Sequence, residues 1–133
     1  MGYDVRWGNE EKTIMLCELT GEWIWDDFYE LWKIQVVMLD TVDHQVHSII
    51  FGPDEAIRVP PGALSHFRRL TSMSHPNEDR VVIVNIPAVA KALLDMLKKI
   101  YGVRGLVEQF IFVDSLEEAY VALDEYEKNR EQS

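Results

Sequence analysis

The pattern of apolar and polar positions along the chain alternates between short apolar runs and longer segments with helical spacing. Short runs rich in β-branched residues predict strands, whereas apolar residues recurring every three or four positions predict amphipathic helices. The predicted strands are 3–7, 13–20, 46–51, 80–86 and 110–113, and the predicted helices are 27–41, 61–73, 88–101 and 116–128. Asp26 is the predicted N-cap of the first helix, and residues 74–79 are a predicted turn. The first two strands form a hairpin, and helices separate the later strands. This order predicts an α/β fold: a single-domain mixed sheet of about five strands, with an opening hairpin followed by three βα crossovers.

The segment 57–70 stands out because a stiff, proline-bound loop leads into an amphipathic helix. Proline suits the first helical turn, where its missing N–H costs nothing. The spacing of Leu64, Phe67 and Leu70 predicts a buried stripe. Two interpretations stay open: a proline-started helix that only packs, or a recognition helix presented by a rigid loop. In the second, the partner-binding residues are Arg58, Pro60, Pro61, Gly62, Ser65, His66, Arg68 and Arg69.

Composition and charge narrow the classes of function. The chain has 133 residues, 47% of them apolar, and a net charge of −10, which fits one acidic globular domain with a core of about 3–128 and a frayed tail at 129–133. Residues 1–57 carry 12 acidic and 3 basic side chains. Residues 58–107 carry 3 acidic and 8 basic side chains, and residues 108–133 carry 8 acidic and 2 basic side chains. Overall acidity argues against nucleic-acid binding, although the basic middle stretch suits an acidic partner.

The cellular setting is predicted from what the sequence contains. Its single cysteine, Cys17, lies in an apolar strand and has no second thiol with which to pair. There is no recognisable secretory signal and no apolar run of the ~20 residues that a membrane span needs. We therefore expect a cytoplasmic protein without a membrane span.

The whole pattern, from residue 13 to about 128, resembles the STAS domains, which include the anti-sigma-factor antagonists and the cytoplasmic domains of sulfate transporters. The resemblance rests on the element order, on the loop Pro60-Pro61-Gly62-Ala63-Leu64, and on a strong strand followed by a helix. It implies a STAS-like scaffold that binds proteins through this loop and helix.

The chain departs from that family at its functional mark, an Asp-Ser-Ser-Gly-Leu or Asp-Thr-Ser-Gly loop with a phosphorylated hydroxyl. When the motif is placed on Gly62, Pro61 falls on the phosphoacceptor and Val59 on the acid. Proline has no hydroxyl, and Ser65 is three residues into the helix. The resemblance therefore implies a divergent member without the phosphoacceptor serine.

Two further sets of residues are candidates for chemistry or binding. In parallel sheets, ligands gather at the carboxyl ends of strands. Such an edge would hold Mg²⁺ through oxygen ligands, or its residues would only start helices and turns. Its members are Asp54, Asn85, Asp114 and Ser115. Most aromatic side chains in the first quarter of the chain are expected in the core. One or two of Trp23, Trp25 and Trp32 would form an apolar patch for self-association or line an apolar cavity, since tryptophan is enriched at interfaces.

These observations lead to a ranked set of functional expectations. The first is a non-enzymatic regulatory or protein-interaction module of STAS type, forming a homodimer, with no catalytic residues, metal or cofactor. The second is a binding protein for a small apolar, lipid-like ligand held beneath the first helix. The third is a metal-assisted enzyme that uses the acidic edge at the strand ends.

Overall fold

The computed structural model describes residues 2–52, 57–70, 72–101 and 109–131. The strands are β1 Tyr3–Trp7, β2 Ile14–Leu19, β3 Val46–Phe51, β4 Glu78–Val84 and β5 Phe110–Val113. The helices are α1 Trp25–Leu39, α2 Ala63–Leu70, α3 Ala88–Tyr101 and α4 Leu116–Glu131. The predicted elements are all present. The one predicted site residue that lies outside the described residues is Asp54.

The strands form one sheet in the order in which they occur along the chain, β1-β2-β3-β4-β5. The first pair is antiparallel and the other three pairs are parallel. One row of facing residues crosses the whole sheet: Val5, Cys17, Ile50, Ile83 and Phe112. The prediction of an α/β fold with a single mixed five-stranded sheet is confirmed.

Helices cover both faces of the sheet. Right-handed crossovers that always step in the same direction place their helices on the same face. Accordingly Leu31 of α1, Phe67 of α2 and Ala90 of α3 share one core with the sheet, whereas Leu123 of α4 packs in a second core on the other face. β3 lies at the centre of this sandwich, and all six of its residues are buried.

Several boundaries differ from the sequence prediction. The helix start predicted at Asp26 is earlier, because Ile24 is the N-cap residue and its N–H donates to Asp27 Oδ2 at 3.0 Å. α2 is shorter than predicted, since Pro61 and Gly62 form a turn before it. β4 begins at Glu78, within the predicted turn, which brings this acidic side chain into the sheet.

Candidate functional site

The proline loop is fastened to the start of α1 by polar contacts. The Trp25 indole N–H donates to the carbonyl of Pro61 at 2.9 Å, and the Arg58 guanidinium donates to the carbonyl of Trp23. Gly62 has a φ of +87°, a conformation that glycine adopts without strain and that turns the chain into α2. Two hydrogen bonds therefore join the loop to the first residue of α1 and to the segment just before it.

The polar side of α2 also contacts α1. The His66 ring stacks on Trp25 with centroids 4.6 Å apart, and its Nδ1 lies 2.6 Å from the Tyr29 hydroxyl. The Arg69 guanidinium lies 4.5 Å above the Tyr29 ring. We define these contacts of α1 with the loop and α2 as the α1–α2 seam. Of the predicted partner-binding residues, His66 and Arg69 thus contact α1, and the side chains of Ser65, Arg68 and Arg69 are exposed.

The apolar side of α2 borders an open groove. Leu64, predicted in a buried stripe, is 41% exposed, and Val89 at the start of α3 is 75% exposed. Both side chains remain in solvent because α2 and α3 leave a space of about 500 Å³ between their amino-terminal halves. We call this space the α2–α3 groove. Its lining residues are Val59, Pro60, Pro61, Gly62, Ala63, Leu64, Ser65, Pro87, Val89, Ala90 and Leu93.

At the strand-end edge, the neighbouring residues have backbone and capping roles. Val84 and Val113 are paired, so Asn85 and Asp114 follow adjacent strands. The Asn85 N–H donates to the Val113 carbonyl at 2.7 Å. Ser115 Oγ accepts the Glu118 N–H at 3.1 Å, and Glu118 Oε2 accepts the Asp114 N–H at 2.7 Å. These contacts favour a helix start over a magnesium site.

The tryptophans do not form the predicted surface patch. Trp23 is 3% exposed and Trp25 is 7% exposed, because both rings pack against each other and Phe28 in the core. Trp32 is half-buried and faces a cavity under α1 instead. The expectation that most of these side chains are in the core holds for Trp23 and Trp25. The predicted patch does not form at those two residues, and Trp32 matches the alternative of a cavity wall.

The cavity that Trp32 lines under α1 is small, and we call it the α1 cavity. It measures about 50 Å³, and a water molecule needs about 10–15 Å³ on this measure. An acyl chain does not fit into such a volume. The lining residues are Phe28, Trp32, Gln35, Ile50, Leu70, Met73, Glu78, Val81, Gln109 and Phe110.

A row of polar side chains lies beside the α1 cavity, and its two ends, Gln35 and Glu78, line the cavity. Gln35 Nε2 donates to Ser48 Oγ at 3.0 Å, and Ser48 Oγ donates to Glu78 Oε2 at 3.1 Å. Burial raises the pKa of the Glu78 carboxyl to about 7, against smaller opposing effects of the Ser48 hydrogen bond and of His75. An acid with a strongly perturbed pKa in an apolar cleft is a recognised mark of a functional site.

Sequence reasoning missed this row, although it contains visible polar interruptions. Gln35 occupies the apolar stripe of α1, and Ser48 interrupts the apolar run of β3. Both residues are buried, at 3% and 1% exposure. Glu78 was not recognised because it was assigned to a turn.

A second polar cluster lies on the α4 face of the sheet. The oxygens of Asp79 and Glu127 and a ring nitrogen of His47 lie within 4.8 Å of one another, close enough to share a metal ion. However, His47 Nδ1 accepts the Arg80 N–H at 3.2 Å, so Nε2 carries the proton and donates to Glu127 at 2.7 Å. Arg130 donates to both carboxylates at 2.6–3.0 Å. The contacts favour a network that fastens α4 to the sheet.

Comparison of the chain with protein-family models, with curated proteins and with solved structures finds no match. Within the described ranges, no helix combines the length and the apolar character needed to cross a bilayer. The features of the described residues that bear on function are the α2–α3 groove, the α1–α2 seam and the α1 cavity.

The first prediction concerns the seam. Trp25→Phe keeps an aromatic ring but removes the donor to the Pro61 carbonyl, so we expect the free energy of unfolding to fall by about 1–2 kcal/mol. Urea denaturation measures this change. The control is Trp7→Phe, because the Trp7 indole makes no hydrogen bond to any residue that the structure describes. Equal losses in the two variants would contradict the role given to the Trp25 N–H.

The second prediction concerns Glu78 and pH. Its native pKa of about 7 exceeds the ordinary 4.5, so between these values the folded protein holds a proton that the unfolded chain has released. Stability therefore falls as pH rises from 4.5 to 7, by at most about 3 kcal/mol from this group. Glu78→Gln should raise the melting temperature at pH 8 and change it little at pH 5.

The matched control for that measurement is Glu117→Gln, which removes an exposed acid on α4. It should have little effect at either pH. A Glu78→Gln protein that is destabilised equally at pH 5 and pH 8 would show that Glu78 is not buried as an unpaired carboxylate.

Proposed function

We propose that the protein is a non-enzymatic interaction module of STAS type that self-associates through the α2–α3 groove. The observation that carries the proposal is the exposure of Leu64 and Val89, at 41% and 75%, on either side of one apolar groove. Contiguous exposed apolar surface bordered by polar residues is typical of protein–protein contacts.

The composition of the groove suits a second copy of the same chain. A two-fold contact needs a self-complementary surface, which offers both a projecting side chain and a recess to receive it. Val89 supplies the projection and the gap beside the proline loop supplies the recess. None of the lining residues is charged, so two copies with a net charge of −10 each meet there without placing like charges in contact.

The seam supports the same proposal because it makes the surface rigid before a partner arrives. Trp25, Arg58 and the turn at Gly62 hold the proline loop, which is one wall of the groove. A preformed surface loses less conformational entropy on binding than a mobile loop does. This arrangement agrees with the STAS-type use of the loop and helix as a contact surface, and Pro61 at the phosphoacceptor position makes the contact independent of phosphorylation.

The contacts of His66, on α2, give this histidine a structural role. The His66 ring is stacked on Trp25 and its Nδ1 is occupied by the Tyr29 hydroxyl. Both contacts join α2 to α1, so we assign His66 a positioning role in the seam. We accordingly propose a regulatory protein–protein contact rather than a reaction.

The test is the oligomeric state of a groove variant in solution. Val89→Asp places a charge in the groove, and an acidic residue in the first turn of α3 is compatible with the helix dipole. Sedimentation velocity should show a dimer for the wild type, and we expect the variant's dimer dissociation constant to rise at least about tenfold.

The control is Val121→Asp, which replaces a valine that is 53% exposed on α4, on the other face of the sheet. It should leave the dimer intact. A wild type that stays monomeric at high concentration, or a dimer that Val121→Asp disrupts and Val89→Asp does not, would refute self-association through the groove.

A further inference from the structure

The Glu78 carboxylate lacks a countercharge of its own. Its Oε2 accepts the Ser48 hydroxyl at 3.1 Å, while its Oε1 has no hydrogen-bond partner among the residues that the structure describes. No lysine or arginine in the described ranges forms an ion pair with it. The Glu78 side chain is partly buried and lines the α1 cavity, so this oxygen is an acceptor available to a positively charged donor in that cavity.

The other walls of the α1 cavity suit a small organic cation. Three aromatic side chains line it, from Phe28 and Trp32 of α1 and from Phe110 of β5. Aromatic faces attract ammonium groups and also accept the short alkyl part of such an ion. The volume of about 50 Å³ holds a group of a few heavy atoms.

We propose that the α1 cavity binds the ammonium group of a small organic amine, with Glu78 Oε1 accepting its N–H and the aromatic side chains enclosing its alkyl part. This site is separate from the α2–α3 groove, so its occupancy does not depend on self-association. A protein that self-associates through the α2–α3 groove and binds an amine in the α1 cavity would combine the two sites that a ligand-responsive regulator needs.

Other ligand classes satisfy the cavity less well. An anion would meet the Glu78 carboxylate, and a neutral alcohol would leave its charge uncompensated. A bare divalent metal ion needs about six oxygen ligands, whereas the lining of the cavity offers one carboxylate and two glutamine amides. An ammonium ion needs only one charged acceptor together with aromatic or polar neighbours.

The groups around Glu78 determine how binding should depend on pH. α1 contributes Gln35, β3 contributes Ser48, and Gln109 before β5 donates to the Glu78 carbonyl at 3.2 Å. The titratable neighbours are His75 in the preceding turn, whose Nε2 lies 2.7 Å from Asp40, and the buried thiol of Cys17. Burial raises the Cys17 pKa well above its usual range, so the thiol stays neutral.

The experiment is a titration of the 133-residue chain with ethylammonium, followed by ¹H–¹⁵N NMR at the Trp32 indole and the Glu78 amide. Ethanol is the neutral probe of similar size, and acetate is the anionic probe. At pH 8 ethylammonium should bind at least about tenfold more tightly than either. Because an acid with a pKa near 7 is about tenfold less ionised at pH 6 than at pH 8, lowering the pH should weaken ethylammonium binding about tenfold.

Two variants separate the proposal from general salt effects. Glu78→Gln keeps the size of the side chain and should abolish both the preference for ethylammonium and its pH dependence. Trp32→Leu retains the carboxylate but should weaken binding through loss of the aromatic wall. The control is Glu117→Gln, on the surface of α4, which should leave the binding of all three probes unchanged.

Three results would overturn the proposal. The first is equal binding of ethanol and ethylammonium, which would mean that the cavity does not distinguish an ammonium group from a neutral hydroxyl group. The second is a pH dependence that persists in Glu78→Gln and therefore comes from His75. The third is tighter ethylammonium binding at pH 6 than at pH 8.

Discussion

The contact of the Trp25 indole with the proline loop fixes the geometry on which the rest of this face depends. Trp25 lies in the first turn of α1, its ring is buried in the core, and its N–H reaches the Pro61 carbonyl 36 residues further along the chain. The same ring stacks on His66, so one side chain positions both the loop and α2. The same loop, held through Pro61, is one wall of the α2–α3 groove, so the shape of the groove depends on this contact.

The polar row of Gln35, Ser48 and Glu78 under α1 lowers the stability of the folded state, whereas the Trp25 contact raises it. A carboxyl whose pKa is raised to about 7 is destabilising in its ionised form. Gln35 and Ser48 are fully enclosed and contribute hydrogen bonds that an apolar core would not need. Natural proteins tolerate such local costs most readily at binding sites, which is the physical reason for placing an amine there. The His47–Glu127–Arg130 network differs, because its charges already neutralise each other.

The fold was largely predictable from the sequence, whereas the sites were predictable only in part. Strong β-branched runs and helical spacing locate elements, and crossover handedness orders them, so the sheet followed from local pattern alone. Burial of a given side chain depends on which elements become neighbours. Leu64 and Val89 match a buried stripe by spacing but face a gap, whereas Trp23 and Trp25 are in the core. Glu78 was assigned to a turn, because the first residue of β4 is set by pairing with β3 and not by the local sequence pattern.

The central claim is that the groove beside the proline loop is a preformed surface on which two copies of the chain meet. A pulsed electron paramagnetic resonance measurement on protein carrying one spin label, at position 89, tests it most directly, because Cys17 is fully buried and does not compete for the label. The account predicts a short label-to-label distance between copies from position 89 and a longer one from position 121 on α4. A shorter distance from position 121, or no dipolar coupling from either position at concentrations that favour association, would contradict it.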